Sequence, residues 1–242
     1  EAVLANHADL GIGFDGDGDR AGFVDEGGRA VDNDNIIILL ARNYLAARPG
    51  PIIYDAKCSM VVPEEIAKAG GRPVMARAGH TFSKAAFLRE NALLAGEISG
   101  HFCFSELGYD DGMFAGLKVS EYLARQGTSL AKLVAAIPRY ILSPDIRVPY
   151  RGGDREAILR AAARTLAGYR PNLIDGVRIE FPDGWGMIRA SVTEPLFTLR
   201  FEAKTKRRWR EIAGILLSVL PVDLQTAIKI KMQEIIPKEI WL

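Results

Sequence analysis

The chain has 242 residues, 48% hydrophobic and 25% charged, enough for one large or two ordinary domains that bury roughly 70–75% of the unfolded surface. A formal net charge of +1 gives no reason to expect nucleic acid or an anionic membrane as partner, and the longest apolar run, IIILLA (36–41), is far short of the about 20 residues that span a bilayer. No charged-then-apolar signal opens the chain, and Cys58 and Cys103 are too few for a disulfide scaffold, which points to reduced thiols and a cytoplasmic location.

In chain order, ADLGIGF (8–14) and AGFVD (21–25) read as strands on either side of a loop, followed by the hairpin-type turn EGG (26–28). DNDNIIILLARNYLAAR (32–48) is a helix with a capping Asp or Asn at its start and Pro49-Gly50 after it. GPIIYDAK (50–57) is a short buried strand, PEEIAKAGG (63–71) a helix opened by Pro63, RPVMARA (72–78) a strand, and FSKAAFLRENA a helix. LLAGEISGHFCF follows, then helices in GMFAGLKVSEYLARQG and SLAKLVAAI. This alternation predicts an α/β domain with a largely parallel sheet. The Pro-, Gly- and Arg-rich stretch 138–154 reads as a linker or the entry to an edge strand. After it the order is helix, GVRIEF, turn, WGMIRA, loop, LFTLRFEA and the helix RRWREIAGILLSVL, an α+β arrangement in which KTKRRWR (204–210) marks a solvated face. Residues 225–242 alternate Ile and Lys and read either as an extra amphipathic segment or as residues foreign to the fold.

The densest chemical signal is GFDGDGDRAG (13–22). Side chains two apart on an extended loop point the same way, so Asp15, Asp17 and Asp19 converge, and Gly16 and Gly18 let the backbone curl. Three such carboxylates suit a hard divalent cation with positions left for water or phosphate, and Arg20 can fork onto an anionic oxygen beside it. A solvated acidic turn is the bland alternative. An EF-hand is the sharper one, with Glu26 at the twelfth position, but Arg20 stands where its glycine belongs and the flanks are strands.

GEISGH (96–101) places Glu97, Ser99 and His101 at alternate positions; a carboxylate with adjustable donors suits a vicinal diol, although a plain hairpin reads the same way. RASVTEP (189–195) offers Arg189, Ser191 and Thr193 for a phosphate dianion, against the alternative of an ordinary turn. Lys57 in DAKCS and His80 in AGHTF are weaker signals.

Together and in this order, the three loops resemble the α-D-phosphohexomutase family, most closely its bacterial phosphomannomutase/phosphoglucomutase branch, over residues 1–224. The resemblance implies four-domain relatives, of which this chain holds the end of the second (1–30), a complete α/β third with a mixed or parallel sheet (31–142) and an α+β fourth (143–224). It implies Mg²⁺ on Asp15, Asp17 and Asp19, Arg20 at the transferring phosphoryl group, and Lys57, His80 and His101 near the reacting hydroxyl or phosphate. Glu97, Ser99 and His101 would hold sugar hydroxyls, and Arg189, Ser191 and Thr193 the non-reacting phosphate. The implied reaction interconverts mannose or glucose 6-phosphate and 1-phosphate through a phosphoserine and a 1,6-bisphosphate.

There are two departures. Val192 stands where the family usually has Asn, and no T-A-S-H-N-P type phosphoserine loop occurs in these residues. The chain is therefore expected to begin within the second domain, to be inactive alone, and to need the missing N-terminal domains as partners. A non-catalytic phosphosugar-binding fragment and a phosphatase with an aspartate nucleophile are the rival readings.

Overall fold

The apolar alternation around DGDGDR closes into an antiparallel hairpin in the computed structural model, which describes residues 1–191 and 194–241. After a short helix α1 (Ala2–Ala5), β1 (Leu10–Phe14) pairs with β2 (Ala21–Asp25) up to Phe14↔Ala21, so residues 15–20 form the tip. β3 (Ala30–Val31) extends this sheet across a turn held by Asp25, whose Oδ1 accepts from the Gly27 and Arg29 amides at 2.9 Å. In α2 (Asn33–Ala47), Ile36 through Ala41 are all buried, because α3, α5 and β6 cover it on different sides.

β4 (Pro51–Asp55), α3 (Val61–Lys68), β5 (Arg72–Ala76), α4 (His80–Glu90), β6 (Leu94–Gly96) and β7 (Phe102–Phe104) alternate as the sequence predicts. α3 starts two residues before Pro63, which stays in the first turn, where a missing N–H is no loss. α4 starts at His80 rather than at Phe82. The sheet order is β5-β4-β6-β7, with β4 parallel to β5 and β6 but β7 antiparallel to β6. GEISGH is too short for a parallel crossover, so the chain must return as a hairpin and the sheet is mixed at that edge. α5 (Gly112–Gln126), capped by Asp111 accepting from the Phe114 amide at 2.8 Å, and α6 (Leu130–Ala135) complete the first compact unit, Glu1–Pro138.

The second unit, Arg139–Leu242, begins with β8 (Ile141–Leu142) and β9 (Ile146–Pro149), followed by α7 (Arg155–Thr165), β10 (Val177–Phe181), β11 (Gly184–Ala190) and β12 (Leu196–Ala203). β10, β11 and β12 form an antiparallel meander, and the Pro-rich stretch supplies β8 and β9 as edge strands, both pairing with β12. α8 (Lys206–Ser218) packs on β11 and β12, with Trp209 buried against Phe201 (ring centroids 5.5 Å apart). Thus KTKRRWR is solvated only in part.

α8 is not the last helix. α9 (Val222–Ile235) and α10 (Lys238–Trp241) follow, with Leu224, Ile228 and Met232 buried at four-residue spacing and α9 lying on β9. The segment is an integral part of this unit's core. Ile228→Ala is expected to destabilise the unit by about 2–4 kcal/mol, read as a lower urea midpoint. An unchanged midpoint would mean that α9 merely adheres.

Candidate functional site

The hairpin tip draws its three acids together: one carboxylate oxygen each from Asp15, Asp17 and Asp19 lies within 4.8 Å of the others. Gly18 makes this possible at φ +77°, a conformation that side chains disfavour. Arg20 Nε lies 2.5 Å from Asp15 Oδ2, and the Arg20 amide donates to Asp15 Oδ1 at 3.2 Å. Desolvation pushes the Asp15 pKa up, but the hydrogen bonds and charge of Arg20 outweigh it and the net shift is downward. An Asp15 that is ionised, with both oxygens engaged, suits an electrostatic or ligating role better than a nucleophilic one. Asp19 Oδ1 is buried and has no hydrogen-bond partner, with Arg20 Nε 3.8 Å away, which leaves its lone pairs available to a cation. A hard, oxygen-preferring divalent ion fits this donor set.

The GEISGH turn sits against this tip, main chain to main chain. The Ala21 amide donates to the Gly100 carbonyl at 3.0 Å, the Gly112 amide to the Gly18 carbonyl at 3.1 Å, and Arg20 and His101 form an isolated antiparallel bridge. His101 Nε2 lies 3.4 Å from Asp19 Oδ2, and its ring stacks on that of His80 with centroids 5.3 Å apart. The Ser99 hydroxyl donates to Glu97 Oε2 at 3.0 Å and lies 3.1 Å from His101 Nδ1.

Topology explains why these loops gather. Lys57, His80 and Glu97 all follow the carboxyl ends of the parallel strands β4, β5 and β6, where open α/β sheets place their ligands. Asp55, at the end of β4, ties the loops together: Oδ1 accepts from the Lys57 amide at 2.6 Å and Oδ2 from the Ile98 amide at 2.9 Å. The Asn33 side chain donates to the Ile98 carbonyl at 3.2 Å from the start of α2, so it ties helix and turn together while Asp32, the N-cap, makes no side-chain cap bond. The sequence reading did not single out Asp55 or Asp110. Asp110 offers an oxygen within 4.8 Å of ligand atoms of Asp19 and His101, and Lys84 lies 3.8 Å from it. Both cysteines are buried, and desolvation pushes the Cys103 thiol up to about 12.

Glu97 is buried, and desolvation raises its carboxyl pKa; the neighbouring Ser83 and Ser99 hydroxyls, of which Ser99 donates to Oε2, oppose the rise and the Asp55 charge adds to it. A raised folded-state value means that the group contributes stability below its ordinary 4.5, which is lost as pH rises through the folded value. Glu97→Gln is therefore expected to raise the thermal midpoint at about pH 8 and to leave it unchanged at about pH 4. Equal midpoints at both pH values would contradict the burial argument.

In the second unit, Arg189 on β11 has Nε 3.1 Å from Oδ2 of the buried Asp175. Ser191 follows at the start of the loop to β12, while Val192 and Thr193 lie outside the described residues. Ser191 Oγ accepts from the Glu194 amide at 3.3 Å. A cleft of about 290 Å³ opens beside Ser191, lined also by Gly153, Asp154, Arg155, Glu156 and Ala190.

Residues 32–140 match the family description phosphoglucomutase/phosphomannomutase, alpha/beta/alpha domain III, and residues 146–217 match its C-terminal domain. The chain belongs to the phosphoglucomutase/phosphomannomutase family. A phosphomannomutase/phosphoglucomutase of Pseudomonas syringae pv. tomato is 39% identical over 218 residues, 88% of this chain and 47% of that protein. A crystal structure of a phosphoglucomutase/phosphomannomutase family protein from Burkholderia thailandensis aligns with a TM-score of 0.80 at 32% identity, over 97% of this chain and 49% of that one. The N-acetylphosphoglucosamine mutase of Aspergillus fumigatus, solved in complex with GlcNAc-6P and magnesium, shares the fold with a TM-score of 0.64 at 20% identity, over 86% of this chain and 51% of its own. The chain thus spans about half the length of the family members it matches.

Proposed function

We propose that this chain is part of a magnesium-dependent phosphohexomutase that interconverts the 1- and 6-phosphates of mannose and glucose. One observation carries the reading: the Asp15–Asp17–Asp19 tip and the Glu97–Ser99–His101 turn are bonded through their main chains, which suits a metal-assisted phosphoryl site built beside a sugar-hydroxyl site. Asp15, Asp17 and Asp19 hold Mg²⁺; when bound, the ion draws charge from the transferring phosphoryl group. Arg20 donates to the same group's oxygens. Glu97 and Ser99 orient the sugar by its hydroxyls. His101, His80 and Lys57 act around the reacting hydroxyl, where an imidazole can accept its proton as the oxygen attacks. Arg189, Ser191 and Thr193 hold a phosphate dianion.

No phosphoserine-loop segment occurs in these 242 residues, so the chain alone is expected to bind sugar phosphates without turning them over. Steady formation of glucose 6-phosphate from glucose 1-phosphate by the purified chain would contradict this. Among the described residues no helix is long and apolar enough to cross a membrane. Two cysteines, too few for a disulfide scaffold, support a cytoplasmic setting.

Calorimetry with glucose 1-phosphate and mannose 1-phosphate in Mg²⁺ tests the reading. Binding that weakens about tenfold or more in Arg189→Ala is expected. No binding of either sugar phosphate to the unmodified chain would overturn it.

A further inference from the structure

A serine hydroxyl owns a single hydrogen, and in the GEISGH turn that hydrogen is already spent. Ser99 Oγ lies 3.0 Å from Glu97 Oε2, and an ionised carboxylate can only accept, so Ser99 is the donor of that bond. His101 Nδ1 stands 3.1 Å from the same Oγ. Toward the ring Ser99 therefore offers only lone pairs, and the proton between the two sits on Nδ1. A neutral imidazole carries one N–H, so Nε2 is left as the acceptor nitrogen.

The turn holds these three side chains in line. The Glu97 amide donates to the His101 carbonyl and the Gly100 amide to the Glu97 carbonyl, both at 3.0 Å, which closes the turn on itself. Stacking on His80 sets the plane of the His101 ring, and the main-chain bridge to Arg20 sets the position of its backbone. Nε2 faces the hairpin tip, where Asp19 Oδ2 competes for a proton on it from 3.4 Å. That distance is beyond the about 2.7–3.2 Å of an ordinary N–H···O bond, whereas the contact with Ser99 lies inside it. The geometry favours Nδ1.

We propose that Ser99 is a positioning residue for His101: by accepting from Nδ1 it fixes the neutral ring in one tautomer, with the Nε2 lone pair beside the aspartate tip. This rests on the reading that His101 acts on the reacting hydroxyl, and adds how the ring is set for that task. No proton passes along the row. The hydroxyl's proton goes to Nε2, Nδ1 keeps its own, and the Glu97 carboxylate offsets the charge that the ring gains.

The chain has three histidines, so a nitrogen-15 correlation spectrum of histidine-labelled protein resolves every ring, and His101→Asn assigns the one in question. The spectrum is recorded at about pH 9, well above the ordinary imidazole range, and without added metal, where Asp19 competes hardest. His101 is expected to carry its proton on Nδ1. In Ser99→Ala the ratio of the Nδ1–H to the Nε2–H form is expected to fall about fivefold or more, while Ser99→Thr, which keeps a hydroxyl, holds it. A ring protonated on Nε2 in the unmodified chain would overturn the proposal. So would a Ser99→Ala ring with the parent's ratio; a lowered thermal midpoint beside it would make Ser99 a structural part of the turn alone. Glucose 1-phosphate binding by the same unmodified chain separates the two readings, because binding retained with the wrong tautomer leaves the proposed function intact.

Discussion

Asp17→Asn is expected to abolish the response of the chain to Mg²⁺. Asp17 is exposed at the hairpin tip, and the substitution changes charge without changing shape, so the fold has little reason to respond. In the absence of metal the variant should be as stable as the parent or slightly more so, because three carboxylates with oxygens within 4.8 Å repel one another. With metal the two diverge. A ligand at 100 times its dissociation constant stabilises the folded state by about 2.7 kcal/mol, so the parent's thermal midpoint rises with added Mg²⁺ while the variant's stays flat. In an intact enzyme carrying the phosphoserine, the same substitution should lower phosphoryl transfer by at least about 10³-fold, since charge neutralisation carries most of this chemistry. A variant midpoint that rises with Mg²⁺ as the parent's does would remove Asp17 from the ligand set.

Gly100→Ala is the second large effect. Gly100 has φ +99°, and a Cβ there would stand 2.7 Å from the Ala21 carbonyl oxygen, which belongs to the backbone and cannot swing aside. Strain of about 1–3 kcal/mol from the dihedral adds to that clash. Relief requires the turn to move off the hairpin, and the Ala21–Gly100 hydrogen bond goes with it. The expected result is a loss of about 3 kcal/mol or more in denaturant unfolding together with weakened sugar-phosphate binding. Gly16→Ala is the matched control: nothing lies within 4 Å of its added Cβ, so its stability should be unchanged. Equal stability for the two variants would mean that tip and turn are not locked as described.

Much of the fold was legible because it is local. Alternating residues on both sides of DGDGDR predict a hairpin, and glycines and prolines punctuate the α/β alternation. The features that were not legible are non-local. Asp55 is one acid after a buried strand until its Oδ2 meets the Ile98 amide 43 residues away. Arg155 reads as an ordinary first-turn residue until it reaches a distant loop, and Asp175 as a turn acid until it meets Arg189. The tail misled in a different way: Ile and Lys alternate over 228–231, which suggests a period of two, yet the burial of Leu224, Ile228 and Met232 follows a period of four. For the candidate site, the spacing of the three aspartates was enough to nominate a metal loop. It could not place that loop against GEISGH, because contacts between a hairpin tip and a sheet edge leave no periodic trace in the chain.

The most direct measurement is a crystal of this chain grown with Mn²⁺, an oxygen-preferring divalent ion whose anomalous signal marks its position. A peak between the carboxylates of Asp15, Asp17 and Asp19, with the turn at Gly100 still bonded to Ala21, is the predicted result. Density with no peak and the three side chains splayed into solvent would contradict the account.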